Sequence, residues 1–376
     1  MAQTTFSRAI GVRELNRATL ERQLLLRRHD LPVTEVVERL VGMQAQTPHS
    51  WYAGLWARIE GFRPEHASEP LAGRELVRVA LMRSTIHLVT AADCLALRPV
   101  VQPAMDRGLH ANRDVRSLDG LDLAKVVAAG RELLDEQPRT TGELGALLHE
   151  RFPEGRPAAL SRVVRDLVPL VQVPPRGIWG ASGQSRHATA ETWLGRPLDP
   201  APSVERVILR YLEAFGPATV QDAQTWSGLT RLGEVIDRLR PGLAVFRDEC
   251  GRELFDLPDA PRPGADAPAP PRFLYDFDNL LLSHADRSRV LTEACARVRS
   301  AIKNAVLPGT VLVDGLTAAT WRIDQGRQGA VLEVRPFAAL SRRDAGAVEE
   351  EGARLLRFAA AGSAAHDVRI LAPTGG

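Results

Sequence analysis

Lysine is nearly absent from this 376-residue sequence, in which Lys125 and Lys303 are the only two. A mechanism that needs a Schiff-base lysine is therefore disfavoured, because so few side chains are available for it. Arginine carries almost all of the positive charge, a bias that a coding preference for Arg, Ala, Gly and Pro also explains. The 48 basic residues nearly balance the 46 acidic ones, and a net charge of +2 does not by itself indicate a nucleic-acid partner.

Cysteine is scarce as well, and Cys94, Cys250 and Cys295 form no CxxC pair. Three scattered cysteines are typical of free thiols buried in a reducing compartment. His149-Glu150 does not continue into an HExxH motif, and the sequence has neither a P-loop nor a GxGxxG turn after a predicted strand. We therefore expect no metal and no cofactor.

Long apolar runs are also missing. No stretch of about 18 uncharged apolar residues occurs, so no membrane span is predicted. The segment MAQTTFSRAIGVRELNRATL lacks the apolar core of a signal peptide, and export is not expected. With 44% hydrophobic and 25% charged residues, the composition is that of a globular protein, which we expect to be cytoplasmic.

Helices followed by a short β segment recur three times along the chain. In the first unit, Val12 to Arg28 and Gly73 to Val79 are predicted helices, and TIHLVT (Thr85 to Thr90) is a predicted strand. In the second, Thr140-Thr141-Gly142-Glu143 is a helix N-cap signal. In the third, Leu243 to Leu257 alternates like a hairpin that turns at Glu249-Cys250-Gly251.

Helices followed by a β hairpin follow the plan of a winged helix. We therefore predict an α+β protein with three tandem winged-helix subdomains, at residues 8–118, 119–200 and 201–258. A Pro/Ala-rich linker at 259–271 precedes residues 272–376, where Gly-punctuated strands surround one helix from Leu340 to Ala361. This last region is predicted to be β-barrel-like.

Three segments carry a resemblance to a known family, namely VGMQAQTPHSWYAGLWARI, LMRSTIHLVTAADC and DFDNLLLSHADRSRV. From about Val12 to Leu371 the chain resembles the winged-helix DNA glycosylases of the AlkZ and YcaQ family. The resemblance implies three winged helices and a β-barrel. It also implies a catalytic motif of Gln, any residue, then Gln or Asp, which here is Gln44-Ala45-Gln46, the double-glutamine form associated with antibiotic resistance.

The chemistry of this motif suits an N7-alkylated purine. Alkylation at N7 makes the base cationic, so the base departs readily and the enzyme needs no strong general acid. An amide oxygen offers partial negative charge to an oxocarbenium-like sugar and accepts a hydrogen bond from the attacking water. The alternative is structural, because Gln44 and Gln46 also fit a helix C-terminus at which amides cap carbonyls before Thr47-Pro48. Thr47 and His49 either line the same cavity or lie at the surface.

Side chains for DNA contact are predicted at four places. The strand segment offers Arg83 and His87, or alternatively a paired arginine and a packed histidine. The second wing offers Arg176 and Arg186. The segment HADRSRV offers Arg287 as a phosphate contact, or alternatively forms a helix cap. The fourth place is a predicted hairpin tip that either probes a groove or is an exposed loop, with long polar side chains at Gln325, Arg327 and Gln328.

Two main functions remain open at this point, and a non-catalytic protein that binds DNA lesions is a third possibility. The favoured one is a monomeric, monofunctional DNA glycosylase without abasic-site lyase activity. Its partner is double-stranded DNA with N7-alkylguanine or N7-alkyladenine adducts or interstrand crosslinks, and the resemblance links such unhooking to resistance against an alkylating antibiotic such as azinomycin B. The alternative is a winged-helix transcription regulator without catalysis, in which a helix such as Pro157 to Leu170 reads the major groove.

Overall fold

The computed structural model describes residues 9–301, 308–326 and 329–373. Both helices and strands occur along most of the described chain, so the predicted α+β class is confirmed. Over the same ranges, no helix combines the length and the apolar character that crossing a bilayer requires.

The first part of the chain corrects two predicted elements. Its elements are β1 (Ala9–Ile10), α1 (Val12–Arg22), α2 (Val33–Arg39), β2 (Met43–Gln44), α3 (Trp51–Trp56), α4 (Glu65–Ala72), β3 (Leu76–Ala80), β4 (Ile86–Thr90), α5 (Ala91–Ala111) and α6 (Arg113–Arg116). The helix predicted from Val12 ends at Arg22, shortly before the left-handed backbone of Leu24 at φ 57°. The helix predicted at Gly73 to Val79 is wrong, because β3 lies there. A run this short fits the periodicity of a helix as well as that of a strand. Because β3 is buried on both faces, it also lacks the alternation of apolar and polar residues that marks a strand.

The second part adds strands to the sheet of the first. Its elements are α7 (Leu123–Glu136), β5 (Arg139–Thr140), α8 (Thr141–Arg151), α9 (Pro157–Leu167), β6 (Leu170–Gln172), β7 (Arg186–Thr189) and α10 (Ala190–Leu194). The predicted N-cap is present, since Thr140 and Glu143 form a capping box. Strand β6 pairs with β3 through Arg78 opposite Gln172, giving a six-stranded sheet in the order β2-β4-β3-β6-β7-β5. The β segments of the first two units therefore form one continuous sheet.

The third part contains the predicted hairpin. Its elements are α11 (Val204–Phe215), α12 (Val220–Ser227), α13 (Leu232–Leu239), β8 (Ala244–Asp248) and β9 (Glu253–Asp256). Strands β8 and β9 pair antiparallel around the turn at Glu249-Cys250-Gly251, and β1 joins β8 in parallel. The start of the described chain thus lies against the third unit.

The C-terminal region is an open sheet, so the barrel prediction is wrong for the residues described. Its elements are β10 (Arg272–Leu274), α14 (Glu293–Ala301), β11 (Gly309–Val313), β12 (Leu316–Gly326), β13 (Gly329–Pro336), α15 (Arg342–Ala359) and β14 (His366–Ile370). The strand order is β10-β11-β12-β13-β14, and β10 and β14 remain edges. The sheet stays open because α15 connects β13 to β14, so that β14 pairs in parallel with β13. Helix α15 also packs against the sheet.

The predicted linker packs against α1. Arg13 Nε donates to Ala265 O at 2.8 Å, and Arg17 Nε donates to Ala267 O at 2.7 Å. A Pro/Ala-rich composition predicts a spacer, but it does not reveal that arginines elsewhere in the chain hold its carbonyl groups.

One hydrophobic core joins the N-terminal helices to the C-terminal sheet. It contains Trp51 and Tyr52 of α3, Tyr275 just after β10, and Leu355 of α15. The contact is close, because a Cβ added at Gly54 would lie 2.7 Å from the Tyr275 ring. This packing brings the chain after β10 against strand β2, where the predicted catalytic motif begins.

Candidate active site

The Gln44-Ala45-Gln46 motif begins in a strand rather than at the end of a helix. Strand β2 is the edge of the six-stranded sheet, with Gln44 opposite His87 of β4, and the pairing continues from Ala45 N to Ile86 O at 2.7 Å. A turn through Gly42 at φ 86° connects α2 to β2, and a Cβ there would lie 2.6 Å from Val89. The helix-capping alternative is therefore wrong. An edge strand leaves one side of the motif without a neighbouring strand.

Gln44 is buried, with 4% of its surface exposed, and its amide oxygen is already engaged. Arg83 Nη2 donates to Gln44 Oε1 at 3.0 Å, and Arg83 Nη1 donates to Trp226 O at 2.7 Å. Arg83 and the next residue, Ser84, both have φ near 57°, in the left-handed region that non-glycine residues rarely occupy. This turn between β3 and β4 holds the guanidinium against the motif.

Gln46 is exposed, in contrast to Gln44. Its Oε1 accepts a hydrogen bond from Ile86 N at 3.2 Å. A carbonyl oxygen has two lone pairs, so one acceptor position of this amide remains available to a water molecule or a sugar. Of the two glutamines, Gln46 is the one whose side chain is exposed.

The middle of the motif is held by a side chain that the sequence did not single out. Arg78 of β3 is buried and donates from Nη2 to Ala45 O at 2.7 Å. Burial, together with the nearby charge of Arg176, lowers the pKa of Arg78 to about 10. Periodicity alone offers no signal for this role, because a strand residue facing a buried carbonyl looks the same in sequence as an exposed one.

The chain after β10 supports the motif from the C-terminal region. Asn279 Nδ2 donates to Gly42 O at 2.5 Å, and Gln44 N donates to Asn279 Oδ1 at 3.3 Å. Beside it, Asp278 forms a buried bidentate ion pair with Arg58, at 2.9 and 2.8 Å. The segment DFDN contributed to the family resemblance, but nothing in its spacing predicted contact with a motif more than 200 residues earlier.

Thr47 and His49 follow the motif and have separate partners. Thr47 Oγ1 donates to Asp276 Oδ2 at 2.6 Å. His49 Nε2 donates to Ile178 O at 2.9 Å, and its ring lies edge-on to Trp179 with centroids 6.4 Å apart. The loop between β6 and β7 therefore folds back over the first unit and reaches the end of the motif.

The predicted DNA contact at His87 has no exposed surface to use. His87 is 1% exposed, and its Nδ1 donates to Thr85 O at 2.9 Å. Burial, assisted by the charge of Arg83, lowers the pKa of His87 to about 3, so the ring is neutral at physiological pH. The packed-histidine alternative therefore describes this residue.

The predicted contacts at Arg83 and Arg287 lie close enough together to interact electrostatically. Burial and the charge of Arg287 lower the pKa of Arg83 to about 10. Arg287 Nε donates to His284 O at 3.2 Å, and burial lowers its pKa as well. Among the ion pairs of the described residues, none joins either guanidinium to a carboxylate. The two charges are therefore not neutralised locally.

The remaining predicted contacts lie elsewhere in the fold. Arg186 is bound by Glu143 in a bidentate pair at 2.7 and 3.1 Å. Arg176 donates to Gly183 O within its own loop, at 3.0 Å. Gln325 is exposed near the end of β12 and donates to Ala359 O at 3.2 Å. Arg327 and Gln328 lie outside the described residues.

Two further expectations concern cysteines and metals. Cys94 and Cys295 are buried, and Cys250 is exposed. The expectation of buried thiols thus holds for two of the three. In the part of the chain that the structure describes, no group of three or more His, Cys, Asp or Glu side chains is arranged to hold a metal ion.

Comparisons with known proteins show similarity over nearly the whole chain. The structure of the Streptomyces sahachiroi DNA glycosylase AlkZ matches with a TM-score of 0.76 at 23% identity, over 96% of this chain and all of that one. A curated relative from the same organism, "Interstrand DNA cross-link repair glycosylase", is 27% identical over 375 residues, covering 94% of this chain and 97% of the relative.

The structural match shows that the chain shares the mixed α+β fold of that structure. The family model for "DNA glycosylase AlkZ-like" matches residues 37–358, which include the motif and the segment that supports it. The chain belongs to the AlkZ-like DNA glycosylase family.

Proposed function

We propose that this protein is a monofunctional DNA glycosylase that hydrolyses the N-glycosidic bond of N7-alkylated purines and unhooks interstrand crosslinks formed through them. Family membership supports the reaction class, and the similarity to the interstrand cross-link repair glycosylase of Streptomyces sahachiroi supports crosslink repair. The observation that carries the proposal is the exposed amide of Gln46 at a sheet edge, beside the buried Gln44. Resistance to a DNA-alkylating antibiotic such as azinomycin B would follow from this activity.

In the proposed mechanism, Gln46 orients the water. When the bond between the sugar and the alkylated purine breaks, its electron pair neutralises the cationic base, and positive charge develops on the sugar. The free acceptor position of Gln46 Oε1 holds a water molecule against the anomeric carbon. Gln44 is held by Arg83 on the buried side of the strand. Its amide lies beside the site from that side, and its hydrogen bond keeps the backbone of the motif rigid.

Water is the proposed nucleophile because the described region offers no lysine near the motif. Lys125 is exposed on α7 and interacts with Asp122 at 3.8 Å. Lys303 lies outside the described residues. Without a Schiff base, the product is an intact abasic site, and strand cleavage is not expected.

The proposed partner is double-stranded DNA with N7-alkylguanine or N7-alkyladenine lesions, bound by a cytoplasmic monomer. Arg83 and Arg287 form an unneutralised pair of charges at the motif, which suits a phosphate beside the damaged nucleotide. Arg176 and Gln325 remain proposed contacts farther away. Arg186 contributes less, because Glu143 already neutralises it. Among these residues, we propose that Arg287 contributes most to the decrease in DNA affinity with rising salt concentration.

A substrate panel tests the proposal. The purified protein, with EDTA present, is incubated with duplexes that contain 7-methylguanine, 7-methyladenine or a nitrogen-mustard crosslink, and released bases and unhooked strands are measured. Release of the base without strand cleavage is expected, together with loss of release in Gln46→Ala. Failure to release any N7-alkylated base would favour the non-catalytic DNA-binding alternative.

A further inference from the structure

A carboxylate from the C-terminal region lies one hydrogen bond from the motif. Asp276 Oδ2 accepts from Thr47 Oγ1 at 2.6 Å, and Asp276 Oδ1 accepts from Phe277 N at 3.1 Å. Asp276 is only 8% exposed. Thr47 follows Gln46 directly, so this hydrogen bond ties the position of the exposed glutamine to a buried anion.

The charge of Asp276 is not neutralised by a neighbouring cation. Asp278, two residues later, forms a bidentate pair with Arg58. The ion pairs of the described residues include none for Asp276 within 4.0 Å. Burying a carboxylate without a cationic partner is unfavourable, and two hydrogen-bond donors compensate only in part. The fold thus keeps beside the motif a carboxylate without a direct ion-pair partner among the described residues.

The motif itself has no negative charge to offer. Both glutamines are neutral, and each of their oxygens already accepts one hydrogen bond, from Arg83 and from Ile86 N respectively. The guanidinium of Arg83 also disfavours positive charge on a nearby sugar. An anion hydrogen-bonded to Thr47, one residue beyond Gln46, would offset this repulsion as the sugar becomes cationic.

We propose that Asp276 is a positioning residue of the glycosylase site, which holds Gln46 through Thr47 and stabilises the cationic sugar through its charge. The inference rests on the proposed glycosylase function. In the reaction, the glycosidic bond breaks and its electron pair leaves with the purine. The water oxygen then forms the new bond to the anomeric carbon and releases one proton to solvent. Asp276 itself gives up and takes up no proton in this step.

Asp276→Asn is the informative variant, because an asparagine oxygen still accepts from Thr47 while the charge is lost. The rate constant for 7-methylguanine release, measured with enzyme in excess, is expected to fall on the order of tenfold to a hundredfold. Binding to a duplex with a neutral tetrahydrofuran abasic analogue is expected to stay within about twofold. Binding to a duplex with a protonated pyrrolidine analogue, which mimics the cationic sugar, is expected to weaken about tenfold.

Two variants of Thr47 separate charge from positioning. Thr47→Ser keeps the hydroxyl and is expected to retain the release rate, whereas Thr47→Val keeps the shape, loses the hydrogen bond and is expected to slow release. An unchanged preference for pyrrolidine over tetrahydrofuran DNA in Asp276→Asn would overturn the electrostatic role. Equal release by Thr47→Val and the unmodified protein would overturn the positioning role.

The binding comparison requires no turnover, so it is separate from the test of function. If the unmodified protein released no alkylated base, the proposed function would fail. If it released the base and Asp276→Asn matched it in rate and in pyrrolidine binding, only this inference would fail.

Discussion

The two sides of the Gln44-Ala45-Gln46 motif differ in how the fold treats them. On the closed side, Gln44 is buried and contacts Arg83 and Asn279. On the open side, Gln46 is exposed, with one hydrogen bond to Ile86 N. Glutamines two residues apart in one short motif thus have opposite surroundings.

This difference suggests a division of labour. Hydrogen bonds on the closed side are buried, so removing one partner leaves a desolvated polar group and destabilises the fold. On the open side, water replaces a lost partner, so a substitution changes the chemistry and little else. The closed side should therefore respond in stability and the open side in rate.

The largest effect is expected from a charge on the open side. Gln46→Lys places a cation where positive charge develops on the sugar, and base release is expected to fall by about a thousandfold or more. Gln46→Glu places an anion there and is expected to retain measurable release. Both rates are measured with enzyme in excess on 7-methylguanine duplex.

Because Gln46 is exposed, neither variant should change the urea midpoint appreciably. Equal release by the lysine and glutamate variants would contradict an electrostatic role for this position. A large loss of stability in either would show that the open side is also structural.

A buried partner on the closed side should give a mixed effect. Asn279→Ala removes the contacts to Gly42 O and Gln44 N, and we expect a loss of about 1–3 kcal/mol in the free energy of unfolding. Release should also slow, roughly tenfold, because β2 loses its support from the C-terminal region. Urea denaturation and single-turnover rates measure the two effects.

Asn16 provides a matched control, since it is also buried and donates to two carbonyls, Arg289 O and Gly315 O. Asn16→Ala should lose similar stability but release base at the normal rate when folded. If both variants slowed release equally, Asn279 would have no special link to the motif.

The sequence predicted the local elements better than their assembly. Local signals identified the capping box at Thr140 and the hairpin of β8 and β9, because neighbours along the chain determine both. The merging of the first two β segments through Arg78 and Gln172 depends on contacts between distant residues. The same holds for β14, whose parallel pairing with β13 kept the C-terminal sheet open.

For the candidate site, the resemblance predicted the two glutamines, and chemistry explained why amides would suit a cationic base. Neither revealed that Arg78, Asp276 and Asn279 support the motif, because these residues are 33 to 237 positions away from their partners. His87, in contrast, was predicted as a DNA contact, but the structure buries it. A histidine in a strand has the same pattern whether it faces DNA or the core, and here it faces the core.

The smallest effect, absent at neutral pH, is expected from protonation of His87 on the closed side. Burial lowers its pKa from the ordinary 6.5 to about 3, so the unfolded chain binds the proton more tightly than the folded protein does. The contribution of neutral His87 is therefore complete above about pH 6.5 and is lost as the pH falls toward 3. The variant His87→Asn has an amide that can still donate to Thr85 O but does not take up a proton. Between pH 7 and pH 4, its free energy of unfolding, measured by urea denaturation, should fall less than that of the unmodified protein, by on the order of 1–3 kcal/mol. Parallel declines in the two proteins would mean that protonation of His87 does not destabilise the fold. The acid sensitivity would then have to arise from other buried groups such as His187 and His284, because burial lowers their pKa values as well.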